Sequence, residues 1–399
     1  MGRTAQPVFI VSAVAPLQLP SLSLYVHIPW CVRKCPYCDF NSHQKNGELP
    51  EAEYINALLE DFAHDLPYVQ GREISTIFFG GGTPSLFSAA AYEKLFAGLQ
   101  RHVKFSPDIE ITLEANPGTA EREKFADYRR AGINRLSIGI QSFADAQLQN
   151  LGRIHGSTDG RKAIEFARMA GFDNLNIDIM YGLREQSLDS ALQDLRFAIE
   201  YQPEHLSWYQ LTIEPNTEFF KRPPVLPPED ELIAIQDSGL ALFSHHGYAR
   251  YEVSAFARDG RRAAHNLNYW RFGDYLGIGA GAHGKITLAS ERRIIRTRKK
   301  KQPGHYLEAR HSLLENGFSA ETAAIARDDL ALEFMLNALR LTEGFTSAQF
   351  EAATGLGFDT VQKQVESLLN KKLLMTTGGV IRPTDKGQQF LNSVLEEFV

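Results

Sequence analysis

Six short apolar runs, rich in β-branched and aromatic residues, recur through the first half of the chain, with helical patterns between them. In one of these helical patterns Tyr54, Leu58 and Phe62 share one face. Alternating strands and helices predict parallel strands with crossover helices, in either a doubly wound sheet or a β/α barrel. Polar residues follow the runs directly, where barrels carry their functional groups, so we predict an α/β fold with a partial (β/α)6 barrel. The runs are residues 23–28, 75–79, 109–113, 135–140, 175–179 and 205–211.

Four segments are predicted along the chain. A proline-rich linker at 222–228, followed by a helical pattern, ends the barrel. Near the C-terminus, apolar residues at helical spacing over 332–339 and 361–369 precede a hairpin with the turn Gly378-Gly379. Helix, helix, hairpin and closing helix resemble a winged-helix module. The segments are an N-terminal extension (1–20), the barrel (21–220), a barrel-associated extension (221–320) and a winged-helix-like α+β domain (321–399).

Charge and hydropathy exclude several classes of protein. The net charge of −6 argues against a surface built for nucleic acid, so we expect no nucleic-acid partner. The chain has no apolar run of roughly 18 residues, the length that would indicate a transmembrane helix. Arg3 and the apolar stretch 8–15 weakly resemble a signal peptide, but one charge and an interrupting Ser12 favour an N-terminal extension.

All three cysteines of the chain lie in the motif Cys31-Val-Arg-Lys-Cys35-Pro-Tyr-Cys38, directly after the first predicted strand. An odd, tightly clustered set does not form a disulfide framework, so we expect reduced thiols that serve as ligands in a cytoplasmic protein. Iron–sulfur clusters normally take four cysteines, and three would leave one iron open for chemistry. A zinc site completed by His27 or His43 is the alternative that spacing leaves open.

The cysteine motif, Cys-x3-Cys-x2-Cys after the first strand, resembles that of the radical S-adenosylmethionine (SAM) superfamily. The flanking residues Tyr25-Val-His-Ile-Pro-Trp and Asp39-Phe resemble its coproporphyrinogen dehydrogenase-like branch, and within it the HemW-type heme chaperones. The resemblance runs from about residue 21 to the C-terminus. It implies a [4Fe-4S] cluster on the three cysteines, with SAM bound to the open iron and reductively cleaved by one electron.

A second set of residues matches SAM-contacting positions of that branch. The glycine-rich turn Gly80-Gly-Gly-Thr-Pro84 follows the second strand and lets backbone groups approach a ligand closely, although alone it would be an ordinary turn. Each later strand is followed by a polar residue that singly could be a surface or core residue, but together these would converge on one barrel mouth. The resemblance assigns SAM to Tyr25, Tyr37, Gly81, Gly82, Thr83, Glu114, Gln141, Arg153 and Asp178.

The segment His265-Asn-Leu-Asn-Tyr269-Trp270 is the third informative motif. Histidine can be an axial heme ligand and the two aromatic rings could form a flat wall, but composition alone favours a structural aromatic turn. The pattern His-Asn-x-x-Tyr-Trp resembles the signature that separates the heme chaperones from the dehydrogenases. The resemblance therefore implies heme near His265, with Tyr269 and Trp270 beside it and His283 as the second ligand candidate.

Two further patterns carry less weight. Gly279-Ala-Gly-Ala-His-Gly284 matches the dinucleotide fingerprint, but a strand-like sequence follows it and the expected acidic residue is missing, so we reject that function. Residues 292–301 include seven basic side chains, which predict a solvated loop or an edge strand. Contact of this run with heme propionates, an anionic membrane surface or nucleic acid is the alternative.

Two functions follow from the resemblance: a heme chaperone with a SAM-ligated cluster, or an oxygen-independent coproporphyrinogen III dehydrogenase. The dehydrogenases carry a fourth cysteine where this chain has Phe40, and a longer arm than the 30 residues before Cys31. We therefore predict the chaperone, without dehydrogenase activity. Its expected partners are heme, acceptor proteins such as respiratory cytochromes, and a heme donor protein or membrane surface, with a homodimer left open.

Overall fold

The computed structural model describes residues 17–118, 121–312 and 316–399. The apolar stretch 8–15, which weakly resembles a signal peptide, lies outside the described residues, as does most of the predicted N-terminal extension. The described chain forms two compact units. The larger comprises 21–286 and 295–323, and the smaller comprises 287–294 and 324–399 together with the described part of 1–20.

The strands of the described residues are, in chain order, β1 (Leu22–Ile28), β2 (Trp30–Cys31), β3 (His43–Gln44), β4 (Ile74–Gly81), β5 (Phe105–Ala115), β6 (Arg135–Gln141), β7 (Leu175–Tyr181), β8 (His205–Gln210), β9 (Ala249–Glu252), β10 (Ala255–Ala257), β11 (Asp274–Ile278), β12 (His283–Leu288), β13 (Arg293–Lys299), β14 (Ser319–Ala324), β15 (Phe345–Thr346), β16 (Leu374–Thr377) and β17 (Val380–Pro383).

The α-helices of the described residues are α1 (Glu51–Asp65), α2 (Ala89–Gln100), α3 (Glu121–Ala131), α4 (Asp145–Asn150), α5 (Ser157–Met169), α6 (Leu188–Glu200), α7 (Glu218–Lys221), α8 (Glu229–His245), α9 (Ala264–Trp270), α10 (Pro303–Glu308), α11 (Leu330–Ala338), α12 (Ser347–Thr354), α13 (Asp359–Asn370), α14 (Asp385–Gln389) and α15 (Leu391–Leu395).

The larger unit is built on an open, mixed sheet. Six parallel strands stand side by side in chain order, β1, β4, β5, β6, β7 and β8, and each contains or nearly coincides with one of the six predicted runs. The predicted α/β class, with six parallel strands in chain order, is therefore confirmed. The helical face predicted from Tyr54, Leu58 and Phe62 is fully buried in α1, because apolar residues at this spacing leave water together.

Strands from the later part of the chain extend both edges of this sheet. On one edge, β11 pairs parallel to β1, with Leu22 opposite Asp274. Strands β12, β13 and β14 follow it outward in that order. On the other edge, β10 pairs antiparallel to β8, with β9 outermost. The parallel β11 beside β1 places the second half of the chain next to the cysteine motif.

The basic run differs from its prediction as a solvated loop or edge strand. Most of it forms β13, which lies between β12 and β14 in the sheet. Lys299 is 1% exposed, and its ammonium group lies 2.6 Å from Asp61 and 2.7 Å from Asp65. A buried ammonium group requires such partners, so part of this run pairs internally and is not available to a solvent-borne anion.

The smaller unit contains helices α11 to α13 and the predicted hairpin, β16 and β17, closed by Gly378-Gly379. A short strand, β15, pairs with β17, and helix α12 follows it directly. Neither element was predicted, because α12 buries little besides Phe350 and so lacks a clear apolar stripe. Leu336 is 42% exposed, although its spacing indicated the buried face of α11. No helix within the described residues is long and apolar enough to cross a bilayer.

Candidate functional site

A cavity of about 650 Å³ opens at the carboxyl ends of the parallel strands. Parallel strands present these ends at one edge of a sheet, so side chains far apart in the sequence meet there. All three cysteines line the cavity, and so do eight of the nine residues predicted to contact SAM. The predicted site residues that line the cavity are Cys31, Cys35, Cys38, Tyr37, Gly81, Gly82, Thr83, Glu114, Gln141, Arg153 and Asp178.

The cysteine loop, residues 31–44, follows β1 along the chain. Its two ends pair as the short parallel strands β2 and β3, with Trp30 opposite His43. Within the loop, the Cys38 amide donates to the Cys35 carbonyl at 3.1 Å, which curls the last two cysteines into one turn. All three cysteines are free thiols, Cys31 buried and the other two half-buried. The loop therefore presents its thiols to the cavity from one side.

Two of the three thiols, those of Cys31 and Cys38, have a raised pKa in the absence of a cation. Burial raises the pKa of Cys31, and the neighbouring Cys38 and Cys35 raise it further. Burial also raises the pKa of Cys38, while the Ser42 hydroxyl, 3.7 Å from its sulfur, acts in the opposite direction. A bound metal favours the thiolate, so this donor set suits a cationic centre that compensates for the burial.

Neither histidine considered for a zinc site lines the cavity within the described chain. Both ring nitrogens of His27 have partners: Nδ1 lies 3.0 Å from the Tyr25 hydroxyl, and Nε2 lies 2.8 Å from the Asn41 carbonyl. His43 directs Nε2 at the Asn41 side-chain oxygen, at 3.3 Å. The loop offers three thiols to the cavity and no imidazole, which suits a cluster with one open iron better than tetrahedral zinc.

The glycine turn is dictated by close packing against the end of β1 and the residues that lead into the cysteine loop. A Cβ atom on Gly82 would lie 2.5 Å from the Trp30 carbonyl oxygen, and one on Gly81, at φ +111°, would lie 2.4 Å from the His27 ring. The Gly82 amide donates to Ile28 and the Thr83 amide to Trp30, each at 2.7 Å. The backbone of this turn therefore forms the cavity wall beside the cysteines.

Arg153 lies at the centre of the polar wall. Its guanidinium donates to the Asn116 side-chain oxygen at 2.7 Å and to the Gly139 carbonyl at 2.6 Å, and lies 3.8 Å from the Cys35 sulfur. Its buried Nε has no hydrogen-bond partner within the described residues. Because a buried donor without a partner is costly, Nε and the remaining guanidinium capacity suit an anionic ligand group in the cavity.

Two carboxyl groups, Glu114 and Asp178, line the cavity and interact electrostatically. Burial, and then the negative charge of Asp178, raises the pKa of Glu114 to about 8. Burial also raises the pKa of Asp178, whose oxygens accept hydrogen bonds from Ser137 at 3.1 Å and Asn176 at 2.8 Å. A protonated Glu114 can donate as well as accept, as binding a hydroxyl-rich ligand requires.

Gln141 ends β6 at φ +69°, an uncommon conformation for a residue other than glycine. Its side-chain oxygen accepts a 2.6 Å hydrogen bond from the Tyr209 hydroxyl. Tyr25, in contrast, does not line the cavity: its ring stacks on Phe78. Burial and the nearby Glu114 raise the pKa of Tyr25, so it lies beside the acidic pair.

Sequence reasoning missed Asn116 and Tyr209, which complete this wall. Asn116 bridges two predicted residues, donating to the Thr83 hydroxyl at 2.9 Å and accepting from Arg153. Both lie at strand ends, Asn116 just after β5 and Tyr209 at the end of β8. The strand-end rule that identified Glu114 and Gln141 would have found them.

His265 lies outside the cavity lining and is 2% exposed. Its ring stacks on Phe78 with centroids 5.1 Å apart, and Nδ1 lies 2.6 Å from the Thr76 hydroxyl. Thr76 donates to Ser23, so its oxygen accepts from Nδ1–H, and the Nε2 lone pair has no partner in the described structure. Burial, and then Arg135, lowers the pKa of His265 to about 3, which keeps the imidazole neutral.

The other residues of this motif are packed or half-buried around the same helix, α9. Tyr269 packs edge-on against His265 and lies 4.1 Å, between ring centroids, from Tyr275. Trp270 ends the helix and is half-buried. His283, the second heme-ligand candidate, is exposed at the start of β12. The four residues therefore do not form one open pocket as the cysteines and their neighbours do.

Comparisons with known proteins identify the two parts of the chain. Residues 25–198 match the model of the radical SAM superfamily, and residues 325–390 match the HemN C-terminal domain. The heme chaperone HemW of Escherichia coli K12 is 49% identical over 383 residues, which cover 96% of this chain and 99% of that protein. The chain belongs to the HemW family.

Other members and one solved structure agree with this family membership. The heme chaperone HemW of Bacillus subtilis is 34% identical over 94% of this chain and 99% of its own length. The structure of the E. coli coproporphyrinogen III oxidase HemN, a radical SAM enzyme, superposes with a TM-score of 0.80 at 25% identity, covering 97% of this chain and 92% of that one. The HemW family thus shares its fold with a porphyrin-modifying enzyme.

Proposed function

We propose that this protein is a heme chaperone that carries a [4Fe-4S] cluster on Cys31, Cys35 and Cys38 with SAM on the open iron. The convergence of the thiols and the predicted SAM residues on one cavity carries the proposal. The name shared by the relatives adds heme as the cargo. The rest of the proposal follows from the resemblance to the family. It comprises acceptor proteins such as cytochromes, a heme donor or membrane surface, a cytoplasmic location and a homodimer.

The polar groups of the cavity suit the parts of a sulfonium nucleotide. Arg153 would hold the carboxylate of the methionine moiety, because a guanidinium with an unused donor matches a carboxylate. Glu114 and Asp178 would accept from, and in the protonated form donate to, the ribose hydroxyls. The backbone of Gly81, Gly82 and Thr83 would receive the amino group. When bound, the cluster would supply one-electron chemistry.

For heme, His265 remains the proposed ligand, and its tautomer supports that assignment. With Nδ1–H held by Thr76, the lone pair is on Nε2, the form that ligates iron. Because the ring is 2% exposed, heme would reach it only after α9 shifts. His283 is the alternative ligand, since it is exposed without any rearrangement.

One observation favours a second function, coproporphyrinogen III dehydrogenase activity. The chain shares its fold with the E. coli enzyme over almost its whole length. Against it, Phe40 stands in this chain where that enzyme class carries a fourth cysteine, and its side chain is 60% exposed. The two functions differ in turnover: a chaperone binds heme without consuming a tetrapyrrole.

The test is anaerobic reconstitution of the full chain with iron and sulfide, followed by three measurements. Iron and acid-labile sulfide analysis determines whether a cluster forms. Titration with hemin, followed by its absorbance, measures heme binding, and a chromatographic assay with SAM and a reductant measures coproporphyrinogen III consumption. Four irons, four sulfides and heme binding without consumption support the chaperone. Zinc without sulfide would overturn the cluster, and consumption with turnover would establish the enzyme instead.

A further inference from the structure

The end of the cysteine loop contacts a turn contributed from far along the chain. This turn, residues 279–282, joins β11 to β12. The Asn41 side-chain amide donates to the Ala280 carbonyl and to the Lys301 carbonyl, each at 2.9 Å. One side chain therefore links the cysteine loop to both the β11–β12 turn and the segment after β13.

The two oxygen atoms of Asn41 also have hydrogen-bond partners, both of them histidines. Its backbone carbonyl accepts from His27 Nε2 at 2.8 Å, and its side-chain oxygen lies 3.3 Å from His43 Nε2. These contacts follow Cys38 by three residues and lie between β1 and β3. An amide that satisfies its donors with two carbonyls fixes its rotamer and with it the backbone of the loop.

The glycines of the turn leave room for this contact. A Cβ atom on Gly281, at φ +83°, would lie 2.2 Å from the Asn41 side-chain nitrogen. One on Gly279, at φ +102°, would lie 2.3 Å from the His27 carbonyl oxygen. The first two glycines of the apparent dinucleotide fingerprint are therefore explained by the close approach of β1 to Gly279 and of the cysteine loop to Gly281.

The turn is itself held by helix α1. The Tyr54 hydroxyl donates to the His27 carbonyl and accepts from the Ala280 amide, both at 2.8 Å. The Gly279 amide donates to Asp61 at 3.2 Å. Because Tyr54 and Asp61 are fully buried, the turn is a rigid support against which the loop can be set.

We propose that Asn41 is a positioning residue for the iron–sulfur cluster: its amide fixes the end of the cysteine loop on the β11–β12 turn, so that Cys38 faces the cavity together with Cys31 and Cys35. This inference rests on the proposed cluster. Without Asn41 the loop keeps its cysteines and its β2–β3 base but loses the attachment that sets the third thiol.

The test compares Asn41→Ala with Asn134→Ala, reconstituted anaerobically. Asn134 is a matched control, because it also joins two backbone groups, Ile111 at 2.8 Å and Ile109 at 2.7 Å, but does not line the cavity. The first measurement is the rate of iron release to a chelator. The second is amide hydrogen exchange over residues 31–45 in the metal-free chain.

Asn41→Ala is expected to release iron at least fivefold faster than the wild type and to exchange loop amides at least fivefold faster. Asn134→Ala should change neither by more than twofold, although both variants lose thermal stability. Wild-type release and exchange in Asn41→Ala would overturn the proposal. If the wild type takes up no cluster, the proposed function fails, and the exchange measurement alone still decides whether Asn41 holds the loop.

A second pair of variants covers the case in which Asn41→Ala does not fold. Gly281→Ala would push against Asn41, whereas Gly247→Ala, at φ +76°, has no described atom within 4 Å of its added Cβ. Both carry the same backbone strain. Faster iron release and loop exchange in Gly281→Ala alone support the proposal, and equal behaviour of the two would contradict it.

Discussion

The cavity and the His265 segment are both marked by sequence motifs, yet the chain arranges them differently. In the cavity, polar groups face an open space, and Arg153 keeps an unused donor. In the segment around α9, the histidine is stacked on Phe78 and bonded to Thr76 in the packed interior. A motif can thus mark an open cavity or a packed arrangement of side chains, and only geometry separates the two.

The largest effect is expected for Cys35→Ser, which tests whether the cavity holds a metal cluster at all. Loss of one of three thiolates should leave colourless protein without iron or sulfide after reconstitution. Iron and sulfide analysis measures this, with Ser42→Ala as the control that alters only a hydroxyl near Cys38. A full cluster in Cys35→Ser would show that the cavity cysteines do not hold the cluster.

His265→Ala tests the packed side of the comparison. Removing a buried, hydrogen-bonded ring should lower the free energy of unfolding by about 3 kcal/mol. The variant should keep its cluster and release heme faster, because the proposed Nε2 ligand is gone. Urea unfolding, iron analysis and heme dissociation kinetics measure the three quantities.

Thr76→Val is the matched control for His265→Ala. It removes the hydroxyl partner of Nδ1 but leaves the imidazole in place. It should cost stability, by about 1–2 kcal/mol, and release heme more slowly than His265→Ala does, because the imidazole that would ligate the iron remains although the partner that fixes its tautomer is gone. Wild-type heme release by His265→Ala would show that the segment around α9 has only a packing role. His283 would then be the ligand to test.

Arg153→Met tests whether the polar wall of the cavity binds SAM. Loss of charge-assisted hydrogen bonds, each contributing about 1.5–3 kcal/mol, should weaken SAM binding about 10- to 100-fold while leaving heme binding unchanged. Calorimetric titration with SAM on the reconstituted protein measures this. The control is Arg161→Met, since Arg161 stacks on Phe143 and Phe197 outside the cavity lining. Equal affinities for SAM in the two variants would contradict the assignment.

Glu114→Gln should have an effect on stability that depends on pH. The folded chain raises the pKa of Glu114 from 4.5 to about 8, so ionisation disfavours the folded state increasingly as the pH rises from 4.5 to 8. The variant lacks this penalty. It should match the wild type below pH 4.5 and exceed its stability by about 2 kcal/mol above pH 8, allowing for partial solvation.

Urea unfolding of the metal-free chain across this pH range measures the difference. Glu110→Gln is the control, because Glu110 accepts hydrogen bonds from the Ala264 and His265 amides outside the cavity. A pH-independent difference for Glu114→Gln would mean that the acidic pair is solvated like a surface group.

The sequence was sufficient for the strands and for most of the cavity. Periodicity and β-branched runs located the six parallel strands, and the strand-end rule located Glu114 and Gln141. It could not predict the pairing of β11 with β1, because that contact joins segments far apart in the chain. Nor could it predict that His265 is buried, since burial depends on Phe78 and Thr76 from another strand.

The parallel pairing of β11 with β1 also determines where this chain can be divided. A fragment that stops at residue 220 would retain the three cysteines but would leave β1 as a bare edge, ready to pair with a second molecule. It would also lack the turn on which Asn41 rests. We therefore expect the smallest fragment that keeps both the β1–β11 pairing and the contacts of Asn41 to extend beyond Lys301.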